Sequence, residues 1–348
     1  MTYQTRIRRV RNPDLPMGQR YTALRCAVEH YRRIGFHATW QFITSTDPHR
    51  PVPLDESGLF EALARLETSR NVWLAEMDSY AARRTALKHL GIQADREEVH
   101  YRHSQRWPGP DAHEAATVAV RYLRDRDREF HGPPEVWEPF TPLEQELSGL
   151  VDAFLGLGLD ASQRRLLSTL HTQVTNARRR HTRHYDLSLA TSRLSWAATL
   201  MRNDALPLVR RGWTGDAEAI TAIFWAARGR MAYLPTLHTF EQTRWWVANI
   251  MAPQAELWVA EMRGVPVGFA ALQGDSLDHL YLDPAHQGRG IGEALLAKAK
   301  RRRRELRLHV FEQNTGARAF YARHGFTVVG GGSDNEEGLP DLEMRWRR

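Results

Sequence analysis

One glycine-rich stretch of the chain reads Gln287-Gly288-Arg289-Gly290-Ile291-Gly292, and it lies between a predicted strand and a predicted helix. A glycine-rich turn at a helix N-terminus presents backbone N–H groups and the positive end of the helix dipole, and both attract a phosphate or pyrophosphate. Glycine also lets the backbone approach an anion closely, because it has no Cβ. The stretch therefore predicts a phosphate-binding loop, although six such residues alone are equally compatible with a structural turn.

Two well-known nucleotide-binding loops do not match this stretch. It lacks the Gly-Lys-Ser/Thr ending of a P-loop. It also does not match the Gly-x-Gly-x-x-Gly fingerprint in a first strand–helix unit of a dinucleotide-binding domain. The ligand must therefore be inferred from the surrounding sequence.

Two further stretches flank the loop. Tyr281-Leu282-Asp283-Pro284 lies directly before it, and residues 314–326 follow it with the sequence Asn-Thr-Gly-Ala-Arg-Ala-Phe-Tyr-Ala-Arg-His-Gly-Phe. Together with the loop, these stretches closely resemble the GNAT superfamily of N-acetyltransferases. The resemblance covers residues 206–348.

The resemblance implies a coenzyme A site. In that family, the loop matching Gln287, Gly288, Arg289, Gly290, Ile291 and Gly292 holds the pyrophosphate of the cofactor. The strand matching Leu280, Tyr281 and Leu282 splays from its neighbour and bonds the pantetheine arm through its backbone, and an asparagine at the place of Asn314 commonly contacts the cofactor. The implied donor is acetyl-CoA or another short acyl-CoA. The histidines show no metal-ligand spacing with cysteine or carboxylate partners, so no metal is expected.

The resemblance also implies a general acid. A tyrosine at the place of Tyr321 commonly protonates the leaving thiolate in this family. The chemistry is compatible, because a departing thiolate benefits from a nearby acid and a phenol can supply a proton. The alternative is that Tyr321 is a core aromatic residue beside Phe320.

The general base is left open by the sequence. Asp275, Asp278 and His279 lie on or beside the strand next to the acyl group, and Glu312 ends the following strand. Side chains alternate along a strand, so Asp278 and His279 cannot both face the cleft unless a β-bulge intervenes. Asp278 is the preferred base, and the alternative is that it is a solvated carboxylate.

The acceptor amine is expected to bind near residues 223–246, because substrate choice in this superfamily usually comes from the first two helices and the loop between them. This region is rich in aromatic residues, which can line an acceptor pocket and can equally fill a core. Tyr233 and His238 are predicted to lie in the loop, so they are the candidate substrate-binding residues.

The length of 348 residues favours two domains, and a hydrophobic fraction of 42% is ordinary for a globular protein. Residues 206–348 alternate between strand and helix patterns, with a hairpin signal at Arg263-Gly264. This order predicts an α/β (α+β) GNAT-like domain in which helices cover a mixed sheet.

Residues 1–200 predict a mostly helical accessory domain of unknown role. A short strand–helix–strand start is expected at residues 5–10, 21–34 and 36–43. A helical bundle then follows, with helices expected at residues 59–66, 73–90, 111–130 and 143–200, the last interrupted at Gly156 and Gly158.

The compartment is expected to be the cytoplasm. No apolar run is long enough to span a membrane, and no apolar stretch follows the basic start of the chain as a secretory signal would require. The single cysteine, Cys26, agrees with a reducing compartment. The formal charge of +7 fits a nucleic-acid partner, an anionic cofactor or no particular partner.

The predicted function is N-acetylation of an amine, carried by a small molecule or a peptide, by direct attack on the thioester. The N-terminal domain would shape the acceptor site or a homodimer interface. In the alternative, its helices bind RNA or a protein partner, with an aminoacyl-tRNA as an extreme form of the donor. A third possibility is an acyl-CoA sensor without turnover. Three basic clusters are present: Arg178-Arg179-Arg180 with Arg183, residues 298–304 and residues 345–348. The first could contact RNA phosphates and the second could meet the adenosine phosphate of coenzyme A. The alternative for both is a solvated surface.

Overall fold

The structure, a computed structural model, describes residues 1–46, 52–93, 95–127, 141–180, 185–301 and 303–348. It divides into two compact units. The first comprises Met1–Ser79 and Arg102–Leu206, and the second comprises Tyr80–Tyr101 and Pro207–Arg348. The segment Tyr80–Tyr101, which the sequence pattern assigned to the helical bundle, therefore groups with the second unit.

The N-terminal part of the chain is helical, as predicted. Its helices are α1 (Tyr3–Arg11), α2 (Met17–His30), α3 (Phe36–Thr44), α4 (Glu56–His89), α5 (Arg96–His103), α6 (Ala112–Asp127), α7 (Thr141–Leu155), α8 (Ala161–Arg180) and α9 (Tyr185–Ala205). One hydrophobic core holds the first unit together, with side chains from α1–α4 and α6–α9. Among the described residues, the helices are too short or too polar to cross a membrane.

The predicted strands at residues 5–10 and 36–43 are wrong, because both segments are helices. In α1 the buried side chains are Tyr3, Ile7 and Val10, which lie on one face of a helix. The short alternation read from the sequence began after Tyr3 and so missed this period. In α3 six of the nine residues are buried, and a short apolar run buried all round does not distinguish strand from helix.

The predicted break between helices at residues 59–66 and 73–90 is also wrong, because α4 is a single helix of 34 residues. The polar residues between the two apolar stretches include neither glycine nor proline, so nothing there ends the helix. Elsewhere the local signals hold: Asp160 accepts a hydrogen bond from Gln163 N–H at 2.8 Å and caps α8.

The second unit contains a seven-stranded mixed sheet, which confirms the predicted fold class. Its strands are β1 (Leu208–Arg211), β2 (Glu256–Met262), β3 (Val265–Gln273), β4 (Ser276–Leu282), β5 (Glu305–Phe311), β6 (Thr327–Gly332) and β7 (Asp341–Arg347). The strand order is β1-β2-β3-β4-β5-β7-β6, and the β4–β5 pair is parallel whereas the other neighbours are antiparallel. The predicted β2–β3 hairpin is present, with positive φ at Arg263 (54°) and Gly264 (88°).

Helices cover both faces of this sheet. They are α10 (Ala217–Arg228), α11 (Phe240–Trp246, continued by a π-helical turn, Val247–Met251), α12 (Ile291–Lys300) and α13 (Thr315–Arg323). Side chains of α12 and α13 share one core with the sheet, and side chains of α10 and the π-helical turn share a second core with the other face. Thr239 caps α11 through a reciprocal pair of bonds with Gln242.

The segment Tyr80–Tyr101 is tied to the rest of the second unit by charged side chains. Lys298 of α12 donates to Asp95 at 2.8 Å and to Glu97 at 2.9 Å. Within the segment itself, Arg83 and Glu98 form an ion pair that is almost completely buried. These residues come from a part of the chain more than a hundred positions before the sheet begins, so the sequence pattern gave no indication that they belong together.

A second buried ion cluster joins β1 and β2 to the start of α10. Arg210 donates to both carboxylate oxygens of Asp216, at 2.7 and 2.8 Å, and to Glu261 at 2.5 Å. All three side chains are at most 7% exposed. Burial alone lowers the pKa of Arg210, but Glu261 and Asp216 outweigh burial and raise it above its ordinary value. The guanidinium therefore stays charged and fixes the edge of the sheet.

We expect Arg210→Met to destabilise the second unit by about 3–5 kcal/mol, because it leaves two buried carboxylates without their cation. The neighbouring Arg211→Met is the matched control. Arg211 lies 3.4 Å from a half-exposed Glu256, and we expect its loss to cost about 1 kcal/mol or less. Urea unfolding, together with hydrogen exchange of the β1 and β2 amides, measures the stability loss of both variants. Equal losses of unfolding free energy would show that the buried cluster contributes no more stability than the Arg211–Glu256 pair.

Candidate active site

Strands β4 and β5 run parallel and then separate. Over the described length of both strands they share one register pair, Ser276↔Arg307. Beyond this pair, β4 continues to Leu282 against β3, and β5 continues against β7. The two central strands of the sheet therefore leave a gap that begins after the start of β4. The resemblance implied such a separation.

Backbone groups of β4 face this gap. Asp283 N–H donates to Val267 O at 2.9 Å, which sets the alternation of hydrogen-bonded pairs between β4 and β3. By that alternation, Tyr281 directs its backbone groups towards β3, whereas Leu280 and Leu282 direct their N–H and C=O groups into the gap. The structure thus presents part of the predicted pantetheine-binding strand as a row of donors and acceptors.

The predicted phosphate loop lies at the C-terminal end of β4. Gly288 and Gly290 have φ values of 74° and 78°, and Gly290 is the N-cap of α12. No side chain caps this helix, and a Cβ at either glycine would meet no atom within 4 Å. The first four residues of the stretch are exposed, and Ile291 and Gly292 are buried. The helix N-terminus therefore opens onto free space, as an anion site requires.

Tyr321 and Asn314 lie on the α13 side of the gap. Asn314 is the N-cap of α13 and accepts from Ala317 N–H at 3.0 Å. Tyr321 is buried, and burial together with the neighbouring Tyr281 raises its pKa above the ordinary value of a phenol. Tyr321 belongs to the core that includes α12, whereas Tyr281 packs against the core on the opposite face. The two tyrosines interact where the strands are apart.

A β-bulge lies at Asp278. Because side chains alternate along a strand, such a bulge was required if both Asp278 and His279 were to face the cleft. His279 pairs with Ala271 and Leu277 pairs with Leu272, so Asp278 is the extra residue of β4. The Asp278 side chain is exposed and accepts from Ser276 Oγ at 2.5 Å. The bulge also turns Leu277 and His279 to opposite faces of the sheet.

A cavity of about 680 Å³ lies on the α10 side of β4. Aromatic rings of α10 and α11 form one part of its wall, with Phe224, Trp225 and Trp246, and the β6–β7 loop contributes Glu336 and Glu337. Of the four residues considered as the general base, the cavity is lined by His279 and not by Asp275, Asp278 or Glu312.

His279 is enclosed by aromatic rings. Its imidazole lies 5.4 Å from the ring of Trp246 and 6.2 Å from that of Phe224, measured between centroids. Burial lowers the pKa of His279 below its ordinary value, Asp278 opposes this effect, and Arg228 lowers the pKa further. The imidazole is therefore neutral near pH 7 and can accept a proton.

Arg228, at the end of α10, connects the cavity with the tyrosines. It donates to Glu337 at 2.7 Å, lies close enough to the Tyr281 hydroxyl for the two pKa values to affect each other, and lies 5.2 Å above the Phe224 ring. Burial opposes its charge, but Glu337 and Tyr281 outweigh burial and raise the pKa of Arg228. Tyr281 is itself buried, and burial raises its pKa although Arg228 acts in the opposite direction.

The two predicted acceptor residues occupy different places. His238 lines the cavity, and its Nε2 lies 2.7 Å from Glu336 Oε1. Tyr233 turns away from the cavity wall. Its ring lies 6.0 Å from that of Phe311, and its hydroxyl lies beside Asn314. The structure therefore groups Tyr233 with a residue predicted for the cofactor.

Sequence reasoning missed Arg228, Glu336 and Glu337. The acidic run Asp334-Asn335-Glu336-Glu337, placed between two predicted strands, was the signal available for the last two. Nothing local marks Arg228 among the arginines of this chain. Within the described residues, no group of three or more histidine, cysteine, aspartate or glutamate side chains is placed to hold a metal ion.

Some described residues of two basic clusters have partners within the protein. Lys298 bonds Asp95 and Glu97, Arg303 bonds Glu256 at 2.9 Å, and Arg347 bonds Glu305 at 2.9 Å. The third cluster is only partly described: residues 178–180 are exposed at the end of α8, and Arg183 lies outside the described residues.

Comparison with known proteins places residues 231–348 in the family described as acetyltransferase (GNAT) domain, and no family match covers the N-terminal region. Peptidyl-lysine N-acetyltransferase YjaB of Escherichia coli (strain K12) is 42% identical over 89 residues, which are 25% of this chain and 60% of YjaB. Peptidyl-lysine N-acetyltransferase YiaC of the same organism is 31% identical over 116 residues, which are 31% of this chain and 80% of YiaC.

Among solved structures, the solution structure of apo-form YjaB from Escherichia coli shares 31% sequence identity with this chain at a TM-score of 0.36. The match covers 40% of this chain and 97% of YjaB.

Proposed function

Since the chain belongs to the GNAT family of acetyltransferases, we propose that its second unit transfers an acetyl group from acetyl-CoA to a primary amine. The gap between β4 and β5 is the observation that carries this proposal. It lies between the glycine loop on one side and the cavity with His279 on the other. A thioester held in this gap would meet an amine entering from the cavity.

The donor site would use backbone groups for most of its contacts. The N–H groups at the start of α12 and the positive φ of Gly288 and Gly290 suit a pyrophosphate. The backbone groups of Leu280 and Leu282 suit the amides of a pantetheine arm, and the Asn314 side chain adds a polar contact near Tyr233. Acetyl-CoA, when bound, supplies the activated acetyl group.

The acceptor is proposed to be the amine of a peptide lysine. YjaB and YiaC carry the name peptidyl-lysine N-acetyltransferase, and the cavity of this chain has matching properties. Its aromatic rings, Phe224 and Trp246, can pack on an aliphatic side chain and attract an ammonium group. The volume of about 680 Å³ is also ample for one side chain.

Two residues would move the protons. His279 would take the proton that the amine loses as its nitrogen forms the amide bond. Tyr321 would give a proton to the sulfur as the carbon–sulfur bond breaks, so that the products are an amide and a thiol. Asp278, the base expected from the sequence, would stabilise the charge on His279 without touching the amine, because it does not line the cavity.

The first test concerns the loop. We expect Gly290→Ala to weaken acetyl-CoA binding by about tenfold or more, which corresponds to about 1.4 kcal/mol, because a Cβ there would stand between the backbone and the pyrophosphate. Gly274→Ala is the matched control, since Gly274 also has positive φ (57°) and open space around it. Each variant should lose about 1–2 kcal/mol of stability from backbone strain.

Titration calorimetry of the full-length variants with acetyl-CoA measures this difference. If Gly290→Ala binds acetyl-CoA as tightly as Gly274→Ala, the loop is not the pyrophosphate site. Thermal unfolding of both variants checks that the strain is comparable.

The second test separates His279 from Asp278. We expect His279→Gln to lower kcat by about 10²–10³-fold, the range typical of a lost general base. In the wild type, kcat should fall with decreasing pH as His279 becomes protonated, at a pH below the ordinary histidine value because burial lowers its pKa. Asp278→Asn should retain most of the activity and move this limb to still lower pH, since the Asp278 charge raises the His279 pKa.

Rate profiles from pH 5 to 9 with a lysine peptide provide the measurement. Loss of activity in Asp278→Asn with little change in His279→Gln would assign the base to Asp278 and overturn this part of the proposal.

The third test concerns Tyr321. We expect Tyr321→Phe to lower kcat by about 100-fold, in the range of a lost general acid, while acetyl-CoA binding stays unchanged. The raised pKa of Tyr321 predicts that the wild type keeps this acid protonated, and hence active, through pH 9. Tyr80→Phe, at another buried tyrosine of the second unit, is the control. A structural role for Tyr321 would instead appear as equal stability losses without a specific loss of kcat.

The first unit is proposed to be an accessory domain that acts on acceptor choice or dimer formation. The RNA alternative rests on the cluster Arg178-Arg179-Arg180 with Arg183, whose described arginines are exposed at the end of α8, and it stays a prediction. A homodimer and a cytoplasmic location stay predictions.

A further inference from the structure

Two ion pairs join the same two segments of the chain across the cavity. One segment runs from the end of α10 to the start of α11, and the other is the β6–β7 loop. Arg228 pairs with Glu337 at 2.7 Å, and His238 pairs with Glu336 at 2.7 Å. All four side chains line the cavity. The two pairs have the same length but differ in their exposure to solvent.

The Arg228–Glu337 pair, which we call the inner pair, is largely buried. The Arg228 and Glu337 side chains are 21% and 12% exposed. Arg228 also lies near the Tyr281 hydroxyl and 5.2 Å above the Phe224 ring. Removing either partner would leave a largely buried charge, which is costly. Glu337 therefore serves the fold of the cavity and does not offer its charge to a ligand.

The His238–Glu336 pair, which we call the outer pair, is exposed to solvent. The His238 and Glu336 side chains are 52% and 64% exposed. A histidine–carboxylate contact at this exposure contributes about 0–1 kcal/mol, because water competes for both groups. A cation on an incoming ligand can therefore take the place of His238 at Glu336 at small cost.

Glu336 and the base act on different parts of the acceptor. His279 is half-buried beside Trp246 and Phe224, where the reacting amine must arrive uncharged. Glu336 is largely exposed, and Asp334 lies exposed in the same loop. Both residues line the same cavity of about 680 Å³, which has room for an acceptor that reaches from one to the other.

We propose that Glu336 selects acceptors with a second positive charge beside the amine that is acetylated. This inference rests on the proposed function and specifies its substrate class. The chemistry is that of a lysine flanked by arginine or lysine in a peptide, or of a linear polyamine. The carboxylate contributes to binding of the acceptor and takes no part in proton transfer.

Three capped peptides test the inference, each with one lysine flanked on both sides by arginine, glutamine or glutamate, together with a linear triamine. We expect wild-type kcat/KM for the arginine peptide to exceed that for the glutamate peptide by about tenfold or more, mostly through KM, and to fall with added salt. Glu336→Gln should reduce the ratio to about twofold, and Glu336→Arg should invert it. Self-acetylation is a small background, because the chain has three lysines and Lys298 and Lys300 are hydrogen-bonded within the protein.

The matched control is Glu241→Gln, which removes an exposed carboxylate of α11 that pairs with Arg244 and does not line the cavity. It should keep the wild-type ratio. A Glu336-dependent preference for the triamine over every peptide would still support the shared chemistry and would assign the source to free polyamines. Equal rates on the three peptides, or a ratio that persists in Glu336→Gln, would overturn this inference alone. No transfer to any acceptor would overturn the proposed function as well.

Discussion

The separation of β4 from β5 is the constraint on which the rest of the site depends. Parallel strands in the middle of a sheet normally exchange backbone bonds along their length, and here the exchange ends after one register pair. The freed backbone groups of β4 become a binding surface. The same opening lets Tyr321, from the core on the α12 side, interact with Tyr281, which packs against the core on the α10 side. A donor site and an acceptor cavity can therefore meet within one sheet.

Burial, and not distance, decides what each ion pair in this unit does. Arg210–Asp216 and His238–Glu336 are both 2.7 Å long. The first is at most 7% exposed and fixes the sheet edge, because neither charge has water as an alternative partner. The second is more than half exposed and can be replaced by a ligand. Arg228–Glu337 is intermediate and connects the two roles, since it shapes the cavity and also contacts Tyr281.

The environments of His279 and Tyr321 suit opposite proton transfers. Burial disfavours the charged form of each group, so it lowers the pKa of the imidazole and raises that of the phenol. Near pH 7 both side chains are therefore neutral, one able to accept a proton and the other able to donate one. Both groups lie near Tyr281, and such a divergence of pKa values is what acid and base roles require in a single site.

The sequence by itself determined the features that local chemistry controls. The glycine loop and the Arg263-Gly264 hairpin each depend on a few adjacent residues, and the structure has them where the sequence placed them. Tertiary structure decided the rest. Helices α1 and α3 form where short apolar patterns were ambiguous, because packing in the bundle selected the helical period.

The bulge at Asp278 brings His279 to the cavity wall, and a bulge depends on strand register, which involves residues of two strands. The pairing of His238 with Glu336, and the grouping of Tyr80–Tyr101 with the sheet, join positions about a hundred or more residues apart. No local pattern encodes such contacts, because they exist only once the chain has folded.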